Sequence, residues 1–135
     1  MNIMHVHPLV AQTVFSTVPE LIEKAAAPTP ETPASLLRLV KEQEADLWVA
    51  GAEGEGIVGV GFGQVLIRPK DKVYNVLAVA GVKGWKWMKQ MHNAMAEDAR
   101  ARGAEKAIMV RMTGRRSYRG SKPAGYYYED DLNVW

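Results

Sequence analysis

Residues Gly81-Val82-Lys83-Gly84-Trp85-Lys86 follow an apolar run and precede a stretch with helical periodicity. Backbone N–H groups at the start of a helix bind anions where side chains leave room, so this loop is a candidate phosphate cradle. Its two glycines permit close approach and its lysines supply positive charge, whereas Trp85 adds bulk. His5 and His7 alternate along a short β-prone stretch, the minimum geometry for a metal site, but no third ligand stands nearby in sequence. His92 falls mid-helix, where a structural role is the default. The segment Arg111 to Lys122 carries Arg115, Arg116, Arg119 and Tyr118, a combination that suits a nucleic acid, an acidic protein surface or plain solvation. Glu129, Asp130 and Asp131 form an acidic patch beside Tyr126 to Tyr128 that reads as a solvated strand edge.

The chain that must position these groups has 135 residues, enough for one domain with its own core. It has no cysteine, which removes disulfide scaffolding, thiol catalysis and Cys-ligated zinc. The first ten residues lack the basic start, apolar stretch and small-residue site of a secretory leader, and no apolar run approaches a membrane span. The net charge of +2 hides an asymmetry: residues 1 to 66 hold three basic and eight acidic side chains, and residues 83 to 122 hold eleven basic and three acidic. Such local charge attracts partners of opposite sign or keeps a face solvated.

Residues 2 to 7 predict an opening strand. Leu9, Val10, Val14, Val18, Leu21, Ile22 and Ala25 recur at helical spacing, which predicts one kinked helix or two short ones, with Thr17 and Glu20 as a capping box around Pro19. Thr32-Pro33 reads as an N-cap followed by proline at the first helical position, opening a helix to about Glu44. LWVAGA and IVGVGFGQVLI, around Glu53-Gly-Glu-Gly56, predict a hairpin. Gly59, Gly61 and Gly63 alternate along its second strand, leaving one face bare for close approach of a helix or another backbone. A third strand, KVYNVLAVAG, leads into a helix from about Gly84 to Gly103, whose Met88, Met91, Met95 and Ala99 stripe reads as core. The strand AIMVRM, a short irregular or helical piece and a terminal strand from Gly125 complete the order. Of Trp85 and Trp87, which cannot share a helix face, one is expected in the core and the other at a cleft or partner surface.

An antiparallel meander feeding a βαβ crossover and a closing strand that begins Gly125-Tyr126 resembles the GNAT acetyltransferase superfamily over nearly the whole chain. The expected class is therefore α/β with an α+β mixed sheet, in a single domain over residues 1–135. Three local cues are similar to the short GNAT-like proteins of tailed bacteriophages, including internal virion proteins: Val79-Ala-Gly81, the pair Trp85 and Trp87, and Gly114-Arg115 followed by Tyr118.

The resemblance implies a cofactor, acetyl-CoA, held by a loop of pattern Gln or Arg, two residues, Gly, one residue, Gly or Ala. With Gly84 as the first glycine, Gly81 stands where Gln or Arg belongs and Lys86 where Gly or Ala belongs. The implied cofactor-binding set is Val79, Gly81, Lys83, Gly84, Trp85 and Lys86. The implied acid is a tyrosine four residues before the Gly-aromatic pair; Ser121 occupies that place, and Tyr118, three residues further back, is the candidate. The strand from Val73 to Gly81 has no Asp, Glu or His to serve as base. These departures predict a non-enzymatic structural or interaction component of a virion or assembly, located in the virion or host cytoplasm. Its expected partners are other phage or host proteins or further copies of itself, with nucleic acid at Arg111 to Lys122 the weaker expectation. The alternative is an acetyl-CoA-dependent N-acetyltransferase acting on a protein or a small amine. No metal is implied.

Overall fold

The structure, a computed structural model, describes residues 2–82, 86–110, 122–124 and 127–131. Strand β1 (Asn2–Val6) and a 3₁₀ turn (Pro8–Val10) lead to helices α1 (Ala11–Thr17), α2 (Pro19–Ala26) and α3 (Pro33–Lys41). The meander β2 (Asp46–Ala52), β3 (Gly56–Ile67) and β4 (Lys72–Gly81) follows. Helix α4 (Lys86–Ala101) crosses to β5 (Lys106–Val110), and β6 (Lys122–Ala124) and β7 (Tyr127–Asp131) close the sheet. The strand order is β1-β2-β3-β4-β5-β7-β6, with β4 and β5 parallel and the remaining pairs antiparallel. The expected mixed sheet, meander, crossover and closing strand are all present. Within the stretch expected to be irregular or helical, residues 122–124 form β6, because Ala124 and Pro123 pair with Tyr127 and Tyr128.

The break near Pro19 is two helices, and its cap differs from the expected box. Val18 is the N-cap without a side-chain hydrogen bond, while Thr17 Oγ1 donates back to the Thr13 carbonyl at 2.7 Å. A Thr inside a helix satisfies its hydroxyl this way and so is lost to capping. At α3 the cap is as expected: Thr32 Oγ1 accepts from the Ser35 N–H at 3.1 Å and Ser35 Oγ accepts from the Thr32 N–H at 2.8 Å, with Pro33 at the start. The helix ends at Lys41, short of Glu44, because Gln43 turns left-handed at φ 61° and ends the ladder. Gly103, at φ 89°, ends α4: its N–H bonds to Arg100 and that of Ala104 to Ala99, both at 2.9 Å.

The sheet has a core on each face, as its period-two alternation requires. Leu47, Val49, Val60 and Phe62 meet α1, α2 and α3 through Phe15, Ile22, Ala25 and Leu36. Trp48, Ala50 and Val58 point the other way, onto Trp87, Met91, Met95 and Ala99 of α4. The glycine stripe on β3 brings α4 close: a Cβ at Gly59 would lie 2.7 Å from the Trp87 ring and one at Gly61 2.6 Å from Met91 sulfur. His92, on the same helix, is fully buried rather than at the surface. No helix among the described residues is long and apolar enough to cross a membrane.

Candidate active site

Strand β4 changes character at Leu77. Phe62 pairs with Ala78 and Gly63 with Val76, so Leu77 is an extra residue, a bulge in β4. The bulge reverses the alternation: Tyr74 and Val76 face α4, whereas beyond it Ala78 and Ala80 face α1 to α3 and Val79 faces α4. At the same point the pairing of β4 with β5 ends. Val73 to Val76 run beside Lys106 to Met109, and Leu77 to Gly81 have no strand on that side among the described residues. A bulge bends its strand and raises the local twist, which is why β4 and β5 part here. The result is a fork in which, among the described residues, the β4 arm has no neighbouring strand for the backbone N–H and C=O groups on that side.

Two features border the far end of this arm. Helix α4 begins at Lys86, five residues beyond Gly81, so its N-terminal amides lie within a short loop of the strand. Lys24 of α2 donates from Nζ to the Gly81 carbonyl at 2.9 Å. This places an exposed ammonium of α2 at the entrance to the loop. Sequence spacing carries no such signal, because Lys24 and Gly81 are 57 positions apart.

The sequence-predicted residues are placed unevenly. Val79 lies on the free arm, half-buried against the α4 layer. Gly81 closes the arm, and its missing side chain is explained by packing: a Cβ there would overlap the indole of Trp87. Trp87 is 2 % exposed and donates from Nε1 to the Val82 carbonyl at 3.1 Å, so it fixes the strand end from beneath. It is the tryptophan of the pair that enters the core; Trp85 lies outside the described residues, as do Lys83 and Gly84. Lys86 is described as the first residue of α4 in its backbone alone. Tyr118 and the remainder of the basic segment as far as residue 121 also lie outside them.

On the opposite side of the fork, facing α1 to α3, a cavity of about 100 Å³ is lined by Pro30, Glu31, Asn75, Val76 and Leu77. Asn75 is buried, donates from Nδ2 to Gln64 Oε1 at 3.1 Å, and has no hydrogen-bond partner for Oδ1.

Among the described residues, the densest set of titratable groups lies at the other end of the sheet. Asp46, at the start of β2, accepts from His5 Nε2 at 3.1 Å, from Tyr74 Oη at 3.4 Å and from Arg102. Arg102 also reaches Asp98 at 2.6 Å, and Trp48 Nε1 donates to Tyr74 Oη at 3.2 Å. Burial, and then the charge of Asp46, hold the Tyr74 hydroxyl well above the usual phenol range. His7 takes no part: its Nδ1 accepts from the Leu9 N–H at 3.1 Å and caps the 3₁₀ turn. The two histidines therefore serve separate local bonds, and no metal-ligand group occurs among the described residues.

No family model matches the chain, and no curated protein matches it in sequence. Solved structures match its fold. A ribosomal-protein-alanine N-acetyltransferase from Brucella melitensis biovar Abortus 2308 superposes with a TM-score of 0.63 at 17% identity, covering 85% of this chain and 82% of that one. An aminoglycoside acetyltransferase from an uncultured soil metagenomic sample, in complex with sisomicin, gives 0.62 at 16% identity, covering 84% and 78%. Rv2747 from Mycobacterium tuberculosis, in complex with CoA and NLQ, gives 0.54 at 15% identity, covering 83% and 65%. The chain has the GNAT acetyltransferase fold. None of these likenesses bears on the phage resemblance or on a virion role.

Proposed function

We propose that this GNAT-fold chain is an acetyl-CoA-dependent N-acetyltransferase, with the thioester lying along the free arm of β4. The observation that carries the proposal is the fork: pairing stops at Val76 and Met109, and beyond the bulge at Leu77 the arm to Gly81 has no strand on that side among the described residues. A strand edge pairs readily with an extended ligand that carries amides, since each unpaired backbone group gains a partner. The known structures of this fold support the reading in kind, Rv2747 having been solved in complex with CoA.

The residues present fit such a cofactor in part. Backbone groups from Leu77 to Gly81 would hold its extended portion, and the α4 N-terminus, with Lys24 and the lysines Lys83 and Lys86, would meet its phosphates. Gly84 would let the backbone approach there. Gly81 itself is committed to Trp87, so the loop works by charge and helix amides rather than by an intact glycine signature. When bound, the cofactor supplies a thioester carbonyl open to an amine and a thiolate leaving group. Tyr118 is proposed as the acid that would protonate that leaving group, the acceptor amine having given its ammonium proton to water before the C–N bond forms and the C–S bond breaks.

The altered signature also favours a second reading, in which the fold is a non-enzymatic interaction module. One assay separates them. Because the chain has no cysteine, any thiol that appears in a mixture with acetyl-CoA and an amine is released CoA. The enzyme reading predicts steady thiol release that depends on both substrates and falls at least tenfold in Tyr118→Phe. Absence of thiol release with a panel of primary amines, together with no calorimetric binding of acetyl-CoA, would establish the interaction reading instead.

A further inference from the structure

We infer that Glu31 and Asn75 form the acceptor-recognition site, and that they select a slim aliphatic ammonium over amines carrying a neighbouring carboxylate. The inference rests on the acyltransferase reading for its chemistry, but its recognition component stands on geometry alone.

Glu31 lies in the connection between α2 and α3, and its position is fixed from both sides. Its backbone N–H donates to Thr29 Oγ1 at 3.1 Å, and Thr29, itself buried, donates to the Ala26 carbonyl at 2.8 Å. Its Oε1 accepts from Ser35 Oγ at 2.9 Å, and Ser35 belongs to the capping box of α3. The carboxylate is thus held by a helix cap and not by a cation. Several other acidic groups are paired instead: Glu42 and Glu44 lie against Arg38, Asp71 against Arg68, and Asp46 and Asp98 against Arg102. Among the described residues Glu31 forms no ion pair, although it is only half-exposed.

Asn75 lines the same cavity; its amide nitrogen donates to Gln64, and its Oδ1 is buried without a partner. A buried acceptor left in this state costs about 1–3 kcal/mol unless a donor arrives. Glu31 and Asn75 therefore line the same small cavity, together with Pro30, Val76 and Leu77. A primary ammonium has several N–H donors and full positive charge, and a slim alkyl chain matches the apolar walls. A volume of about 100 Å³ suits the end of such a chain. An α-carboxylate beside the amine would be brought against Glu31 and repelled. The cavity lies at Val76 and Leu77, where the fork opens, so an amine entering from this face arrives at the free arm of β4. The excess of acidic over basic side chains in residues 1 to 66 attracts cations from a distance.

The test uses 1,5-diaminopentane as the cationic probe and glycine as the amine with an adjacent carboxylate. In the thiol-release assay the diamine is expected to have a KM at least tenfold below that of glycine. Glu31→Gln is expected to raise the KM for the diamine about tenfold, with kcat within twofold and the KM for acetyl-CoA unchanged, and Glu31→Asp to recover part of the loss. An unchanged KM for the diamine in Glu31→Gln would overturn the inference while leaving the acyltransferase reading intact. Binding is followed separately by titrating the diamine into the protein without acetyl-CoA and recording backbone amide shifts. Shifts at Glu31, Asn75 and Leu77 that disappear in Glu31→Gln support the site even if no acyl transfer occurs; their absence in the unmodified protein overturns it. Thermal melting of each variant shows that the fold is retained.

Discussion

The two ends of β4 teach opposite lessons about where chemistry resides. At its start, Asp46, His5, Tyr74, Trp48, Arg102 and Asp98 make the richest cluster of titratable side chains described, beside an open cleft of about 470 Å³. At its far end, among the described residues, the fork holds few ionisable side chains and leaves the arm from Leu77 to Gly81 unpaired on one side. In the first region each charge is answered by another, and the bonds tie β1, β2, β4 and α4 together. In the second, backbone groups of the arm and the Asn75 amide oxygen have no partner among the described residues. A satisfied network is a structural device, and an unsatisfied one is a binding site in waiting.

The largest effect that would break this contrast concerns the layer beneath the fork. Trp87→Ala removes a buried indole packed on Gly59 and Gly81, and we expect a loss of about 3–5 kcal/mol in urea unfolding. Gly81→Ala, which places a methyl group inside that indole, should cost less in the Trp87→Ala background than alone, a coupling that a double-mutant cycle reads directly, with part of the cost remaining from the Val58 carbonyl.

Asp46→Ala comes next. It leaves Arg102, Tyr74 and His5 without their shared acceptor and should cost about 2 kcal/mol, while acetyl-CoA affinity, measured by calorimetry, stays within twofold. A loss of cofactor binding with intact fold would show that the charged end is more than structural.

Lys24→Glu sharpens the comparison from the other side. Reversing the charge beside Gly81 should weaken acetyl-CoA about fivefold, or about 1 kcal/mol, and leave the melting temperature nearly unchanged. The smallest effect at neutral pH belongs to Tyr74. Its folded value is raised above that of a free phenol, so the stability it contributes is fully present below pH 10 and is lost as pH rises through the folded value. In an ultraviolet titration Tyr74 should ionise after solvent-exposed tyrosines, and this late step should vanish in Tyr74→Phe.

Much of the fold was legible because its devices are local. Pro19 and the Thr32-Pro33 cap mark helix starts within a few positions, and Gly59, Gly61 and Gly63 announce a bare strand face at period two, which Trp87, Met91 and Tyr74 fill in turn. The Leu77 bulge was not legible. On either side of it the strand reads Val76, Leu77, Ala78, Val79, Ala80, apolar throughout, so no polar alternation records the reversal of faces. The candidate site suffers most from this, since the bulge makes the fork. Glu31 and Lys24 were equally silent, each meeting β4 only through the packing of α2 and the connection after it onto the sheet. Gly81 was legible as a special position, but its spacing could not distinguish room for a phosphate from room for an indole.

The most direct test is an amide-resolved titration of the protein with acetyl-CoA. The account predicts saturable shifts concentrated on Leu77 to Val82 and the first turn of α4, with the residues around Asp46 and Arg102 unmoved. Saturation with shifts centred on Asp46 and Arg102, or no shifts at all, would contradict it.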